Sequence, residues 1–443
     1  MDLRFLAHNS HLSDSDRFQE LDPHLRRLKI QPYIHHPQLL TELEDLIPGI
    51  YTLGGGRQIG KTTLLKQWMA ALLNKKISPE RIAFFSGELI DDHHALYYLL
   101  SQQLSSMPKD ELNYLLLDEV TYIKDWDKTI KYAADSGFFE NVVLMLTGSD
   151  LSLIQEARMR FPGRRGQASI VNFHLYPLSF REVLGLKHPT ISKPDITCLF
   201  DEFQNYLIHG GYLTAINDYA RDKRILNATL MTYADWVRGD MLKRGKQEHY
   251  LKEIIGAILK RSSSQVTWNA LAKDLSIEHP KTVADYMALL ESMDALFVQS
   301  ALLEDKLVGA PKKARKLFFT DPFIFHAMRA WLYPSQNAFS DQIQPLLTDP
   351  IQVSYLVELC AVTHYRRYFE TYYIKATGEV DIAYIDKNQF WPIEIKWSNQ
   401  LREKDLKQIL KYNNGLILTK NVASGLLQHI PTKPLPLALW ELA

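Results

Sequence analysis

The chain has 443 residues, with 51 Lys and Arg against 51 Asp and Glu, 46% hydrophobic residues and two cysteines. That length exceeds one ordinary core, so several domains are expected. Zero net charge excludes a uniformly basic coat and confines any nucleic-acid surface to a local patch.

Cys198 and Cys360 are too few for a cysteine metal cluster and suit a reducing compartment. Residues 1–30 read as an N-terminal extension. They begin Met1-Asp2-Leu3-Arg4-Phe5-Leu6, without the long apolar core of a secretory signal. No apolar run reaches the length of a membrane span. A cytoplasmic protein with no membrane partner is expected.

From residue 31 to 185, short apolar strands alternate with helical patterns. Strands are predicted at 50–53, 82–85, 114–117, 142–146 and 169–173, and helices at 61–74, 92–105 and 130–136. Fully apolar strands between helices predict a parallel sheet covered on both faces. The first strand runs into Gly55-Gly56-Arg57-Gln58-Ile59-Gly60-Lys61-Thr62-Thr63, a G-x-x-x-x-G-K-T loop that opens a helix. Its glycines let backbone N–H groups close around a polyphosphate, and the helix turns its positive end to the anion. Lys61 reaches the β- and γ-phosphates and the Thr62 hydroxyl ligates Mg²⁺, so ATP and Mg²⁺ are the expected cofactors.

The third strand ends in Asp118-Glu119. Asp118 stands where a carboxylate holds Mg²⁺, and Glu119 where a second one polarises the attacking water. The fourth ends in Leu146-Thr147-Gly148-Ser149, which places Ser149 to contact the γ-phosphate or the water; a Ser/Thr turn is the plainer alternative. Arg158, Arg160, Arg164 and Arg165 cluster around Pro162-Gly163. Arg164 or Arg165 is the candidate for an arginine supplied to a neighbouring copy's nucleotide. A solvated basic loop explains them equally well.

Residues 186–245 read as mostly helical, broken at Gly210-Gly211. Between 246 and 335, three helical patterns precede strands, the order of a winged helix. Lys281 and Thr282 open the helix that would enter a major groove. Lys312, Lys313, Arg315 and Lys316 form a basic wing able to neutralise phosphates.

Residues 345–443 return to mixed α and β, with a helix at 353–365, strands at 372–376, 380–385 and 391–396, and a helix at 404–412. Here Asp381 precedes Glu394-Ile395-Lys396, and Glu358 lies on the upstream helix. This resembles the D…E-x-K pattern of restriction-endonuclease-like folds, and the resemblance implies that Glu358, Asp381 and Glu394 hold a second Mg²⁺ or Mn²⁺ and that Lys396 stabilises the attacking water. Gln408 is an accessory candidate. An active nuclease and a fold used only for holding DNA or a partner both fit.

The loop at 55–63, the acids at 115–119, the segment 146–149, Pro162-Gly163-Arg164-Arg165, Tyr176-Pro177-Leu178-Ser179-Phe180 and 206–212 together resemble archaeal and bacterial AAA-type ATPases related to the STAND and replication-initiator branches. Gly56 stands where that family often has proline, a looser loop with no ligand lost. The resemblance implies an α/β fold: a P-loop NTPase parallel sheet with a helical lid, a winged-helix domain and a C-terminal restriction-endonuclease-like α/β domain. The expected function is a Mg²⁺-dependent ATPase coupling ATP binding and hydrolysis to binding or remodelling of duplex or branched DNA. Two alternatives stay open: a STAND-like switch acting through protein partners, and an ATP-gated metal-dependent nuclease. An arginine acting in trans would imply a homo-oligomer, up to a hexameric ring.

Overall fold

Strict alternation of side chains along four apolar strands builds the first sheet. In the computed structural model, which describes residues 1–43, 46–149, 159, 161, 163–261, 264–398 and 406–442, these are β1 (Gly49–Gly54), β2 (Ile82–Ser86), β3 (Asn113–Asp118) and β4 (Val142–Thr147). A three-residue β5 (Asn172–His174) completes a parallel sheet of order β2-β3-β4-β1-β5. Tyr114 and Leu116 join Tyr51, Leu53 and Trp68 on one face, while Leu115 and Leu117 join Ile50, Leu96 and Ile130 on the other. A period of two thus sends each strand's residues alternately into two cores. Helix Lys61–Asn74 covers the first face; helices His93–Ser106 and Trp126–Asp135 cover the second.

The chain divides into two compact units, Met1–Tyr176 and Pro177–Ala443. Residues 1–30 belong to the first, with Phe5 and Phe18 buried in its two cores. Asn9 lies along the outer edge of β2: its amide donates to the Phe84 carbonyl and accepts from the Phe84 N–H, each at 2.8 Å. His11 Nε2 reaches the Ile82 carbonyl at 3.0 Å. These side chains satisfy backbone groups that an edge strand leaves open.

The second unit begins with helices Phe180–Lys187, Ile196–His209, Leu213–Asp222 and Asn227–Lys243. Ser179 and Glu182 close a capping box at the first of these. Gly210 sits at φ +57, and a Cβ on Gly211 would fall 2.1 Å from the Leu178 carbonyl oxygen. Glycine is required there because the backbone approaches both Leu178 and the buried Asp321 carboxylate, which accepts from the Gly211 N–H at 2.8 Å.

Helices Glu248–Lys260, Trp268–Asp274 and Pro280–Ser292 follow, and then β6 (Leu296–Ser300), β7 (Leu302–Leu303), β8 (Val308–Gly309) and β9 (Arg315–Phe319). β6 pairs antiparallel with β9, and β7 with β8. Helices Pro322–Leu332 and Pro350–Tyr368 lead to a six-stranded sheet of β10 (Glu370–Lys375), β11 (Glu379–Asp386), β12 (Gln389–Lys396), β13 (Leu416–Thr419), β14 (Gly425–Leu427) and β15 (Ile430–Pro434). Its order is β10-β11-β12-β13-β15-β14. The first three strands form an antiparallel meander, and β13 runs parallel to β12.

Most expected strands appear within two residues of their predicted bounds. The strand expected at 169–173 shrinks to β5, and the helix expected at 130–136 starts earlier, at Trp126. Of the helix expected at 404–412, residues 404 and 405 lie outside the described residues, and the rest contains only a 3₁₀ turn, Ile409–Lys411. β13–β15 and helix Pro322–Leu332 carry no expectation from the sequence. Among the described residues no helix is long and apolar enough to cross a membrane.

Candidate functional site

Register brings the first site together. Leu53 of β1 lies opposite Thr147 of β4, and Leu117 of β3 opposite Leu146, so β1, β4 and β3 end side by side. Their carboxyl ends therefore carry the glycine loop, Thr147 and the Asp118-Glu119 pair at one edge of the sheet, the position at which open α/β sheets take ligands.

The loop bends at glycines. Gly55 has φ +150, and a Cβ on it would lie 2.6 Å from the Leu175 carbonyl oxygen; Gly60, at φ +107, caps helix Lys61–Asn74. Lys61 is buried, its ammonium donating to the carbonyls of Gly55 at 3.1 Å and Gly56 at 3.0 Å and lying 3.6 Å from Glu119 Oε1. Burial lowers the Lys61 pKa, and Glu119 and Asp118 oppose that shift. The Thr62 hydroxyl donates to Asp118 Oδ2 at 2.6 Å. Asp118 Oδ1 accepts from the Thr147 hydroxyl at 2.5 Å, and Thr147 Oγ1 accepts from the Glu119 N–H at 3.0 Å. Ser149 donates to Glu119 Oε2 at 3.2 Å. Arg57 meets the Tyr122 hydroxyl at 2.5 Å.

Lys61, Thr62, Asp118, Glu119 and Ser149 thus converge. Thr147, in the segment 146–149 that the sequence singles out, joins them through Asp118 and the Glu119 N–H. A hydroxyl and a carboxylate 2.6 Å apart are hard oxygen donors suited to Mg²⁺, which keeps several waters and takes few protein ligands. The residues fit that ion.

Arg164 and Arg165 lie elsewhere. Arg164 pairs with Asp135 and lines a cleft of about 980 Å³ with Pro48 and Phe139, at the amino-terminal end of the strands. Arg165 donates to the Ile50 carbonyl at 3.2 Å and to Asn172 Oδ1 at 2.5 Å, bracing β1 against β5. Arg158, Arg160 and Pro162 lie outside the described residues.

A second cluster forms in the other unit. Glu358 from helix Pro350–Tyr368 meets Glu379 and Asp381, which period two places on one face of β11. Between them lies Lys316 of β9, its Nζ 2.7 Å from Glu358 Oε1, 2.5 Å from Glu379 Oε1 and 3.2 Å from Asp381 Oδ1. Asp381 Oδ2 accepts from the Ile395 N–H at 2.9 Å. Lys396 pairs with Glu394 Oε1 at 2.5 Å. Burial, reinforced by the Asp381 charge, pushes the Glu394 carboxyl well above the usual carboxylate range. Its Oε2 is buried without a hydrogen-bond partner among the described residues.

Two expectations are corrected here. Lys316 does not face nucleic acid: it is 1% exposed, its charge engaged by three carboxylates. A second Mg²⁺ or Mn²⁺ does not fit Glu358, Asp381 and Glu394, because the Lys316 ammonium occupies Glu358 Oε1 and Asp381 Oδ1 and the Lys396 ammonium occupies Glu394 Oε1. Among the described residues no group of three or more His, Cys, Asp or Glu is arranged to hold a metal ion. Gln408 braces the Thr377-Gly378 turn, accepting from Gly378 N at 3.2 Å, rather than approaching the acids. Sequence reasoning missed Glu379, which shares Asp381's face two residues away.

Of the remaining basic candidates, Lys281, Lys312 and Lys313 are exposed and Thr282 is half-buried. Arg315 is committed in part to Trp268, its guanidinium 4.7 Å from the ring centre.

Residues 48–184 match a family model described as an AAA domain, and residues 200–335 match one described as a domain of unknown function. An uncharacterised protein of Haemophilus influenzae is 26% identical over 285 residues, covering 61% of this chain and 67% of that one. An uncharacterised protein of Methanocaldococcus jannaschii is 28% identical over 236 residues, and the chain spans 47% of its length, using 47% of its own. Among solved structures, the Walker-type ATPase of Pyrococcus abyssi aligns with a TM-score of 0.43 and 16% identity, covering 66% of this chain and 93% of that one. The segment matched as an AAA domain contains the glycine loop, Asp118, Glu119 and Ser149, on a parallel sheet of the P-loop NTPase type.

Proposed function

We propose that this protein is a Mg²⁺-dependent ATPase whose nucleotide state controls binding or remodelling of DNA. The observation that carries the reading is the convergence of Lys61, Thr62, Asp118 and Glu119 at the carboxyl edge of one parallel sheet. Loop N–H groups and the Lys61 ammonium would grip the β- and γ-phosphates. Thr62 and Asp118 would hold Mg²⁺, which supplies charge neutralisation for the leaving phosphate. Glu119, steadied by Ser149, orients and polarises the water. Of the two arginines, Arg164 rather than Arg165, which is held between β1 and β5, would serve a neighbouring copy's nucleotide in a homo-oligomer, up to a ring of six.

For DNA, support comes from exposed Lys281 at the start of helix Pro280–Ser292 and from exposed Lys312 and Lys313. A second reading is a nucleotide-controlled switch acting through protein partners. Zero net charge and the burial of Lys316 favour it. The nuclease alternative loses support, since Glu358 and Asp381, two of the acids it needs, are paired with a buried lysine.

ATP turnover measured with and without duplex, single-stranded and branched DNA separates the two readings. Stimulation by DNA is expected. Turnover indifferent to every nucleic acid moves the assignment to the switch. In the same assays Lys61→Ala should weaken ATP binding at least about tenfold by calorimetry, the loss of one charge-assisted contact. Unchanged affinity in that variant would overturn the nucleotide site.

A further inference from the structure

Lys316 is the second residue of β9, in the run Arg315-Lys316-Leu317-Phe318-Phe319, whose last four residues are all buried. An ammonium withdrawn from water costs several kcal/mol unless it is closely paired. Here the pairing is threefold, with Glu358, Glu379 and Asp381 all within 3.2 Å of Nζ. Burial on its own would lower the Lys316 pKa, but Glu358, Asp381 and Glu379 outweigh it and hold the lysine charged well past the ordinary range.

The geometry points to Lys316 as the resident counter-cation of this carboxylate cluster, making it a buried charge lock that fastens the β6–β9 hairpin to the C-terminal sheet, and not a metal-dependent cleavage centre.

Further observations support the lock. Lys316 stands in register with Gln299 of β6, so strand pairing fixes its backbone. Polar bonds stitch the same seam: Gln299 Nε2 donates to the carbonyls of Tyr372 at 3.1 Å and Asp381 at 3.0 Å, the Tyr373 hydroxyl donates to the Ala314 carbonyl at 2.5 Å, and Gln265 donates to Glu379. Ala301 also bridges Tyr373 in parallel fashion. Glu358 Oε1, Glu379 Oε1 and Asp381 Oδ1, which a divalent ion would need at about 2.0–2.1 Å in a near-octahedral shell, already accept from the ammonium. The E-x-K lysine is likewise engaged, since Lys396 pairs with the glutamate of its own motif.

The test uses the full chain, both without ATP and with it, so that cleavage gated by ATP is also read. Nicking of supercoiled plasmid is measured with Mg²⁺ and with Mn²⁺, and thermal unfolding is followed for wild type, Asp381→Asn, Glu379→Gln and Lys316→Met. The expected result is no nicking by wild type and a Tm lowered by roughly 5–10 °C in Lys316→Met, as for removal of one partner from a buried ion pair. Smaller losses are expected in the two carboxylate variants. Should Lys316→Met fail to fold, the Tm values of Asp381→Asn and Glu379→Gln decide the matter. Wild-type nicking that disappears in Asp381→Asn at an unchanged Tm would overturn the lock.

Discussion

Glu119 stands at φ 51, in the left-handed region that non-glycine residues seldom occupy. The strain is sustained by its surroundings: the N–H is bonded to Thr147, the carboxylate is bonded to Ser149, and the carbonyl packs so closely on Gly87 that a Cβ there would lie 2.4 Å from it. A backbone held in an unfavourable well beside a phosphate loop is the pattern of a side chain positioned for chemistry. Glu119→Gln preserves the shape and the Ser149 contact while removing the base. It should leave ATP affinity near wild type and cut turnover by roughly 10²-fold or more. Calorimetry paired with a phosphate-release assay checks this, and wild-type turnover would remove Glu119 from the mechanism.

At the scale of elements, β2 is the edge of the first sheet, and residues of the N-terminal segment complete its hydrogen bonding. Asn9 spans a distance in sequence of 75 residues to bond both the N–H and the carbonyl of Phe84. Asn9→Ala would strand two buried backbone groups and should destabilise the first unit by roughly 2 kcal/mol in urea denaturation, with nucleotide contacts untouched. The segment was legible in sequence only as an extension, because its apolar residues lack a run or period long enough to announce an element. The β6–β9 hairpin gives the converse case. Its basic stretch 312–316 reads as one wing, yet β9 is buried from Lys316 onward, while Lys312 and Lys313 precede the strand and stay exposed.

Across the whole molecule, buried titratable groups set the response to acid. His209, His326 and His364 are buried and hold folded pKa values of about 3, about 4 and about 3, burial being the largest cause in each. His364 shows why: its Nε2 accepts from the Phe180 N–H at 2.9 Å, which only a neutral ring can do. The unfolded chain takes up these protons near pH 6.5 and the folded chain does not, so stability falls as pH drops below about 6.5. Asp321 opposes them. Burial raises it to about 7, so the folded state binds its proton first and gains stability as pH falls toward the unfolded value. His11, buried and lowered to about 4, adds to the three, and Glu394, raised to about 8, joins Asp321, so four groups against two leave a net loss on the order of 2 kcal/mol per pH unit between pH 6 and 5. Thermal unfolding across pH 7.5 to 5 checks it; a Tm that rises on acidification would contradict the assignment.

The nucleotide site was readable because its parts are local. A glycine loop must follow a strand and open a helix, and acids that end an apolar strand declare themselves within five or six residues. The alternating apolar strands likewise announced a parallel sheet through a short-range period. Pairings between distant strands were another matter. Register placed Thr147 beside Asp118, and packing of β9 against β11 and helix Pro350–Tyr368 placed Lys316 among Glu358, Glu379 and Asp381, a neighbourhood that leaves no mark in composition or spacing. A charged side chain has the same letter whether it faces water or a buried carboxylate; only the packing around it determines which, through the cost of leaving its charge unpaired.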